Sequence, residues 1–483
     1  MSVDVCDDVA RHSGRLLSAL RLCAVAGVAS TLIGCGALPA SATVPTTGAL
    51  PTAIVAAITG APTPVVTPRP PVPAPSASPR STPTAQPTAI PAPTDAPTEL
   101  PVLETPTPTA MAYQERRQIF EEVWRTVEEK YLYPDFHGLD WNAVHEQYGA
   151  KLEQEQTRDQ FYAMMVEMLA LLDDQHSRFE PPAVAQLENA KTSNDEVTVG
   201  IGVLTKPRPD SAFIQIVFPD SPAARAEIEP RDRIIAVDGQ PYQIEDGDLL
   251  GEAGTAVRLT VVRPGAKLRD VVLTRQEVRN HIVPSYRRFP GDIGYVTVPT
   301  LWVTDMHEQV NGALTDLVAE GRLNGLILDM RANSGGWSYV MSGLLSHFVR
   351  GQVGAFVNRQ HVRPLEVPPP DGPDLRGLPL VVLVDNETAS YGEVLAAILQ
   401  REDHALVVGT RSAGNTETIY ATVLSDGSRL WLAEEAFRLQ NGVNLEGVGV
   451  QPDSTVDVDW THYSEDDDPQ LLEALRLLGA GPK

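Results

Sequence analysis

The apolar and polar positions of the chain change their rhythm several times. From about residue 112, Phe120, Val123, Trp124, Val127 and Tyr131 fall at helical spacing, and so do Phe161, Met164, Met165, Met168, Leu169 and Leu172. The spacing predicts helices over residues 115–131 and 160–172, packed as a small helical subdomain. This segment ends in Asp174-Gln175-His176-Ser177 and Pro181-Pro182, which leaves His176 in a polar loop rather than on an apolar face. From about residue 284, short apolar runs alternate with helical stripes. Ile293-Gly294-Tyr295-Val296-Thr297-Val298, Gly325-Leu326-Ile327-Leu328-Asp329-Met330 and Leu380-Val381-Val382-Leu383-Val384 are too short for helices and read as buried parallel strands. A helix over about 304–320 separates the first two, so the region is a layered α/β domain.

The third run is broken by Asp385-Asn386-Glu387-Thr388. Ala389-Ser390-Tyr391-Gly392-Glu393 then leads into a helical stripe, Val394-Leu395-Ala396-Ala397-Ile398-Leu399. Ser390 therefore sits at a strand-to-helix turn, where the free amides of the first helical turn point at whatever its hydroxyl attacks. A helix N-cap serine would occupy the same place. The second strand runs into Arg331-Ala332-Asn333-Ser334-Gly335-Gly336. Paired glycines after a parallel strand let backbone approach a ligand closely, and a simple helix-entry loop would use them too.

Val199-Gly200-Ile201-Gly202-Val203, Ser221-Pro222-Ala223-Ala224-Arg225-Ala226, Asp232-Arg233-Ile234-Ile235-Ala236-Val237-Asp238-Gly239 and Val257-Arg258-Leu259-Thr260-Val261-Val262-Arg263 together resemble a PDZ domain. The resemblance implies a groove that adds an extended peptide as an extra strand and holds its terminal carboxylate at Gly200, Ile201, Gly202 and Val203.

The 483 residues, 42% of them hydrophobic, give room for two or three domains. A net charge of -25 argues against nucleic acid as a partner. Arg11, Arg15 and Arg21 precede the apolar stretch Leu22-Cys23-Ala24-Val25-Ala26-Gly27-Val28-Ala29, which ends in Leu32-Ile33-Gly34-Cys35. This resembles a bacterial lipoprotein signal and implies a lipidated Cys35, a membrane anchor and a place in the cell envelope outside the cytoplasm. A plain secretory signal or an N-terminal membrane helix would share the basic and apolar segments. The Pro-, Ala-, Thr- and Ser-rich residues that follow read as an extended tether. Cys6 and Cys23 lie inside the expected signal, so no internal disulfide is expected. No histidine or carboxylate set has metal-ligand spacing, and no cofactor is expected.

In order, the helical segment, the PDZ-like block, Asp329-Met330-Arg331-Ala332-Asn333-Ser334-Gly335-Gly336 and Asn386-Glu387-Thr388-Ala389-Ser390-Tyr391-Gly392-Glu393 resemble the C-terminal processing, or tail-specific, serine peptidases. Val407-Val408-Gly409-Thr410-Arg411-Ser412-Ala413-Gly414-Asn415 and Glu446-Gly447-Val448-Gly449-Val450-Gln451-Pro452-Asp453 extend the likeness. It implies a crotonase-like (ClpP/crotonase) α/β peptidase core over 281–483, with an inserted PDZ domain over 193–280. Before these stand a helical subdomain over 111–192, a tether over 36–110 and a signal over 1–35. It further implies Ser390 as nucleophile, an oxyanion hole from the amide of Tyr391 with that of Gly335 or Gly336, and protein or peptide substrates with free C-termini.

One departure changes the chemistry. Many members of that family activate serine with a lysine, and the equivalent position here is Asn415; no lysine occurs between Pro284 and Pro482. A serine-lysine dyad is thereby excluded from the core. Asp174-Gln175-His176-Ser177 resembles the histidine motif of the tricorn-like branch, which implies His176 as general base with a glutamate as third member. Glu446 is the first choice and Glu417 the second. His281, His307, His347, His361 and His404 lack such a context and read as surface or packing residues. Two other readings stay open: a peptidase-like protein that has lost its base and only binds peptide tails, and a solute-binding lipoprotein, against which the PDZ-like block stands.

Overall fold

The computed structural model describes residues 110–244 and 249–480. The expected signal, the tether and Cys35 lie outside the described residues. Three helices open the described chain, Tyr113–Lys130, Trp141–Lys151 and Arg158–Ala170. Thr157 starts the third by accepting from the Gln160 amide at 3.3 Å, while the Gln160 side chain accepts from the Thr157 amide at 2.9 Å. Both apolar stripes are buried, but not against each other alone. Their core is completed by Leu424, Leu430, Leu432 and Ala433 from a sheet of the C-terminal domain. The helical unit thus folds onto the peptidase-like core and shares its interior.

That core is built on a parallel sheet in the order Ile293–Thr297, Gly325–Asp329, Leu380–Val384, Leu406–Gly409, Ser454–Thr455, with Tyr286–Phe289 antiparallel at one edge. Every residue of Leu380–Val384 is buried. Leu380, Val382 and Val384 pack against the helices Met306–Ala319, Ser338–Leu345 and Tyr391–Glu402, and Val381 and Leu383 pack against Pro469–Leu477. Each such side chain contributes about 1.5–3 kcal/mol by leaving water, which anchors the strand that ends just before Ser390.

An antiparallel sheet forms a second layer. Its long strand Arg429–Leu439 pairs with Gly351–Val357, Thr418–Val423 and the short strand Arg178–Glu180, and Val362–Val367 lies beyond Gly351–Val357. The register Arg178↔Trp431, Phe179↔Leu430, Glu180↔Arg429 brings the end of the helical unit to residues some 250 positions later. Glu180 secures that pairing: its buried carboxylate accepts from Arg429 Nε at 2.8 Å and Nη2 at 2.6 Å.

The PDZ sheet has the order Val203–Arg208, Ser211–Val217, Arg233–Val237, Ala256–Val262, Arg269–Thr274, so Val203–Arg208 is an edge strand. It has its own apolar core. The ring of Phe213 meets Trp460 of the core at 5.1 Å, and Arg208 pairs with Glu387 at 2.6 Å. No helix among the described residues is long and apolar enough to cross a membrane.

Candidate active site

Ser390 adopts φ 54° and ψ -131° at the N-cap of Tyr391–Glu402. A non-glycine residue persists in such a backbone region only where its surroundings hold it. Here the Ser390 amide donates to Asn415 O at 2.7 Å and to Glu393 Oε2 at 3.1 Å, while the Ala389 amide donates to Asn333 O at 2.9 Å. Glu393 is fully buried and also accepts from Ser412 Oγ at 2.5 Å, Gly414 N at 2.7 Å and Asn415 N at 2.9 Å. Burial pushes its carboxyl above the ordinary range, and these four groups oppose the rise. Glu393 is therefore the post that ties the serine turn to the loop at 412–415.

The glycine loop lies directly on this turn. A Cβ on Gly335 would stand 2.6 Å from Ser390 Cβ and 3.0 Å from the Tyr391 nitrogen, and one on Gly336 would stand 1.9 Å from the Leu301 carbonyl carbon. The two glycines are not equivalent. The Gly335 amide is taken by Asn333 Oδ1 at 2.8 Å, which removes it from the pair of alternatives for an oxyanion donor. Among the described residues, the amides of Gly336 and Tyr391 donate to no loop or side-chain acceptor.

His176 lies in a loop that is bonded to the segment holding the serine turn. Asp174 closes its loop, accepting from the His176 amide at 2.8 Å and from the Ser177 amide, while its second oxygen accepts from Tyr131 OH at 2.7 Å. Gln175 Oε1 accepts from Asn415 Nδ2 at 2.8 Å. Asn415 thus links the two segments: its carbonyl holds the Ser390 amide, and its side chain holds the neighbour of His176.

The imidazole is buried, and its Nε2 lies 3.8 Å from Glu417 Oε2 and 3.9 Å from Glu446 Oε2, with no hydrogen-bond partner among the described residues. Glu446 is oriented by the Thr416 amide at 2.6 Å and the Thr416 hydroxyl at 3.3 Å. Glu417 is held by Tyr133 OH. Burial lowers the His176 pKa below its ordinary value, against the pull of Glu446 and Asp174. Burial raises the Glu417 carboxyl to about 7, with Tyr133 opposing and the Glu446 and Asp174 charges adding to the rise. The two carboxylates are equally near but unequal: at pH 7 Glu417 is about half protonated, and Glu446 is the one of the two whose charge pulls the His176 pKa upward.

The remaining candidates are placed elsewhere. His347 Nδ1 pairs with Pro373 O at 2.8 Å, His361 stands 3.6 Å from Glu435 at the surface, and His307 packs on Tyr339. Among the described residues, no group of three or more His, Cys, Asp or Glu could hold a metal ion. In the PDZ loop, Gly202 has φ 81°, and a Cβ there would lie 2.2 Å from Ser221 Cβ. The carbonyls of Ile201 and Gly202 are tied to the Ala223 and Phe218 amides at 2.9 and 3.0 Å.

Three positions in this site carried no signal in the sequence. Tyr131 read only as part of an apolar stripe, Tyr133 has no distinguishing context, and Glu393 reads as an ordinary first-turn helix acid.

Fold and site together define a serine-type peptidase. Three family models match the chain: peptidase family S41 over residues 292–456, the tricorn protease C1 domain over 112–170 and a PDZ domain over 217–263. The chloroplastic C-terminal processing peptidase of Tetradesmus obliquus is 31% identical over 371 residues, covering 72% of this chain and 79% of that protein. The carboxyl-terminal-processing protease of Synechocystis is 28% identical over 390 residues, 78% of this chain and 90% of its own. A solved photosystem II D1 C-terminal processing protease superposes with a TM-score of 0.52 at 29% identity, covering 76% of this chain and 98% of that one. The chain belongs to the C-terminal processing peptidases of family S41.

Proposed function

We propose that this peptidase acts outside the cytoplasm on proteins with free C-terminal tails, and that Ser390, His176 and Glu446 carry the reaction. The tail adds to the edge strand Val203–Arg208, with its carboxylate at Gly200, Ile201, Gly202 and Val203. Neutral His176 takes the proton of Ser390 Oγ as that oxygen attacks a peptide carbonyl, and Glu446 stabilises the imidazolium that results. The developing oxyanion is met by the amides of Gly336 and Tyr391 at the positive end of Tyr391–Glu402, each such donor being worth about 100-fold or more in rate. His176 returns its proton to the leaving amine, and a water, activated by the same imidazole, then releases the acyl group from Ser390.

The observation that carries this reading is the buried imidazole facing two carboxylates at 3.8 and 3.9 Å, in a loop bonded through Gln175 to Asn415, whose carbonyl holds the Ser390 amide, in a core with no lysine between Pro284 and Pro482. Purified protein should degrade an unfolded protein, and Ser390→Ala and His176→Ala should each reduce the rate by about 1,000-fold or more. Full activity in His176→Ala with none in Ser390→Ala would mean another base. An inert wild type would leave a tail-binding protein.

The envelope location rests on the basic and apolar N-terminus and Cys35. Cells fed a labelled fatty acid should label the chain, and Cys35→Ser should abolish the label. Labelling that survives this change would place the anchor elsewhere.

A further inference from the structure

We propose that Trp302, Trp337 and Trp431 form a side-chain subsite of this active site, which receives a large apolar side chain from the substrate residue beside the cut bond and disfavours a cationic one. The proposal rests on the peptidase reading and concerns what that site selects.

Trp337 directly follows Gly336, and Trp302 follows Leu301, whose amide donates to Gly335 O at 2.8 Å and whose carbonyl accepts from the Trp337 amide at 2.9 Å. Trp337 Nε1 donates to Trp302 O at 2.8 Å, and the two rings stand edge to face at 5.3 Å. The glycine loop at the Ser390 turn therefore continues straight into an aromatic wall.

The third ring comes from the histidine layer. Trp431 is the register partner of Arg178, two residues past His176. Leu430 and Leu432 belong to the core shared with the helical unit, so by strand alternation Trp431 points to the opposite face. There its ring meets Trp302 at 5.8 Å and Trp337 at 6.2 Å. The three rings thus join the glycine loop beside Ser390 to the strand that pairs with Arg178, two residues past His176.

The cluster is also unfinished. Trp302 and Trp337 are only partly buried, and Tyr339, stacked on Trp337 at 6.4 Å, is 49% exposed. Trp431 is 4% exposed, and its indole N–H is buried with no acceptor among the described residues. Charge sets the selectivity: the Arg178 and Arg429 guanidiniums lie 5.1 and 5.0 Å from the Trp431 ring, with Glu180 the carboxylate that pairs both. A lysine or arginine side chain placed there meets a net positive surround.

The test uses the full chain on peptides made from a denatured proteome, with the new ends read by mass spectrometry. Phe, Tyr, Trp, Leu and Met should be enriched on one side of the cut, and Lys and Arg depleted there. For matched peptides with Phe or Ala at that position, kcat/KM should favour Phe by about tenfold or more. Trp302→Ala and Trp337→Ala should each bring that ratio close to one. Cuts without apolar enrichment, or variants that lose both peptides equally, would overturn the subsite. In a second arm, Ser390→Ala is titrated with the two peptides and read by indole emission. Tighter binding of the Phe peptide is expected, and equal affinity would overturn the proposal. A wild type that cuts nothing overturns the Ser390–His176 reading instead, and this binding arm then decides the subsite.

Discussion

Two carboxyl groups at 3.8 and 3.9 Å from one imidazole nitrogen set the chemistry at the scale of single residues. Because burial lowers the His176 pKa, the neutral imidazole that the proposed reaction needs persists to lower pH than an ordinary histidine allows. The acid limb of kcat/KM should therefore fall below pH ~6.5. A limb well above that value would mean that the carboxylates outweigh burial. Glu417 gives a second expectation, on stability. Its folded pKa of about 7 lies above the ~4.3 of an unfolded chain, so between these values the folded state holds a proton the unfolded state has released. Its contribution to stability falls as pH rises through that window, by on the order of 3 kcal/mol, and is level above it. Urea unfolding from pH 5 to 8 should show this fall in the wild type and a flatter profile in Glu417→Gln; identical slopes would contradict the assignment. The strand-to-helix turn that holds Ser390 was legible in the sequence because an apolar run, a polar break and a helical stripe bracket it. Glu393 was not, since its role is to accept from residues up to 22 positions away, which no local pattern announces.

At the scale of elements, the histidine depends on a loop held from both sides. Tyr131, at the end of Tyr113–Lys130, bonds Asp174, and Arg178–Glu180 pairs with Arg429–Leu439 just beyond. Tyr131→Phe should cost about 1 kcal/mol of stability and lower kcat more than it raises KM, because the imidazole loosens while the tail groove is untouched. A change in KM alone would contradict this. Gly336→Ala should do more: with Cβ 1.9 Å from the Leu301 carbonyl carbon, the glycine loop cannot keep its course, and thermal unfolding should report a loss of at least ~2 kcal/mol. The two helical stripes were readable because their period is helical. The strand Arg178–Glu180 was not, since three residues carry no period and the strand exists only through its distant partner.

Across the whole molecule, the PDZ unit meets the peptidase core through specific contacts rather than a bare linker. Arg208, at the end of the edge strand, forms two hydrogen bonds with Glu387, three residues before Ser390, and the pair is separated by 179 positions. Both side chains are partly exposed, so the pair is worth less than a buried one. A double-mutant cycle of Arg208→Ala and Glu387→Ala, read by thermal unfolding, should give a coupling of about 0.5–1 kcal/mol; strict additivity would mean that the contact does not hold the units together. The PDZ strands were recognisable from their motifs, but their docking was not, because such contacts join residues that no sequence window contains. The proposed peptidase depends as a whole on a Ser390 made reactive by His176. Treating the protein with a serine-directed fluorophosphonate and mapping the adduct tests this most directly. Modification of Ser390 in the wild type, and its loss in His176→Ala, is the predicted result; an unmodified Ser390 in an active preparation, or equal modification in His176→Ala, would contradict it.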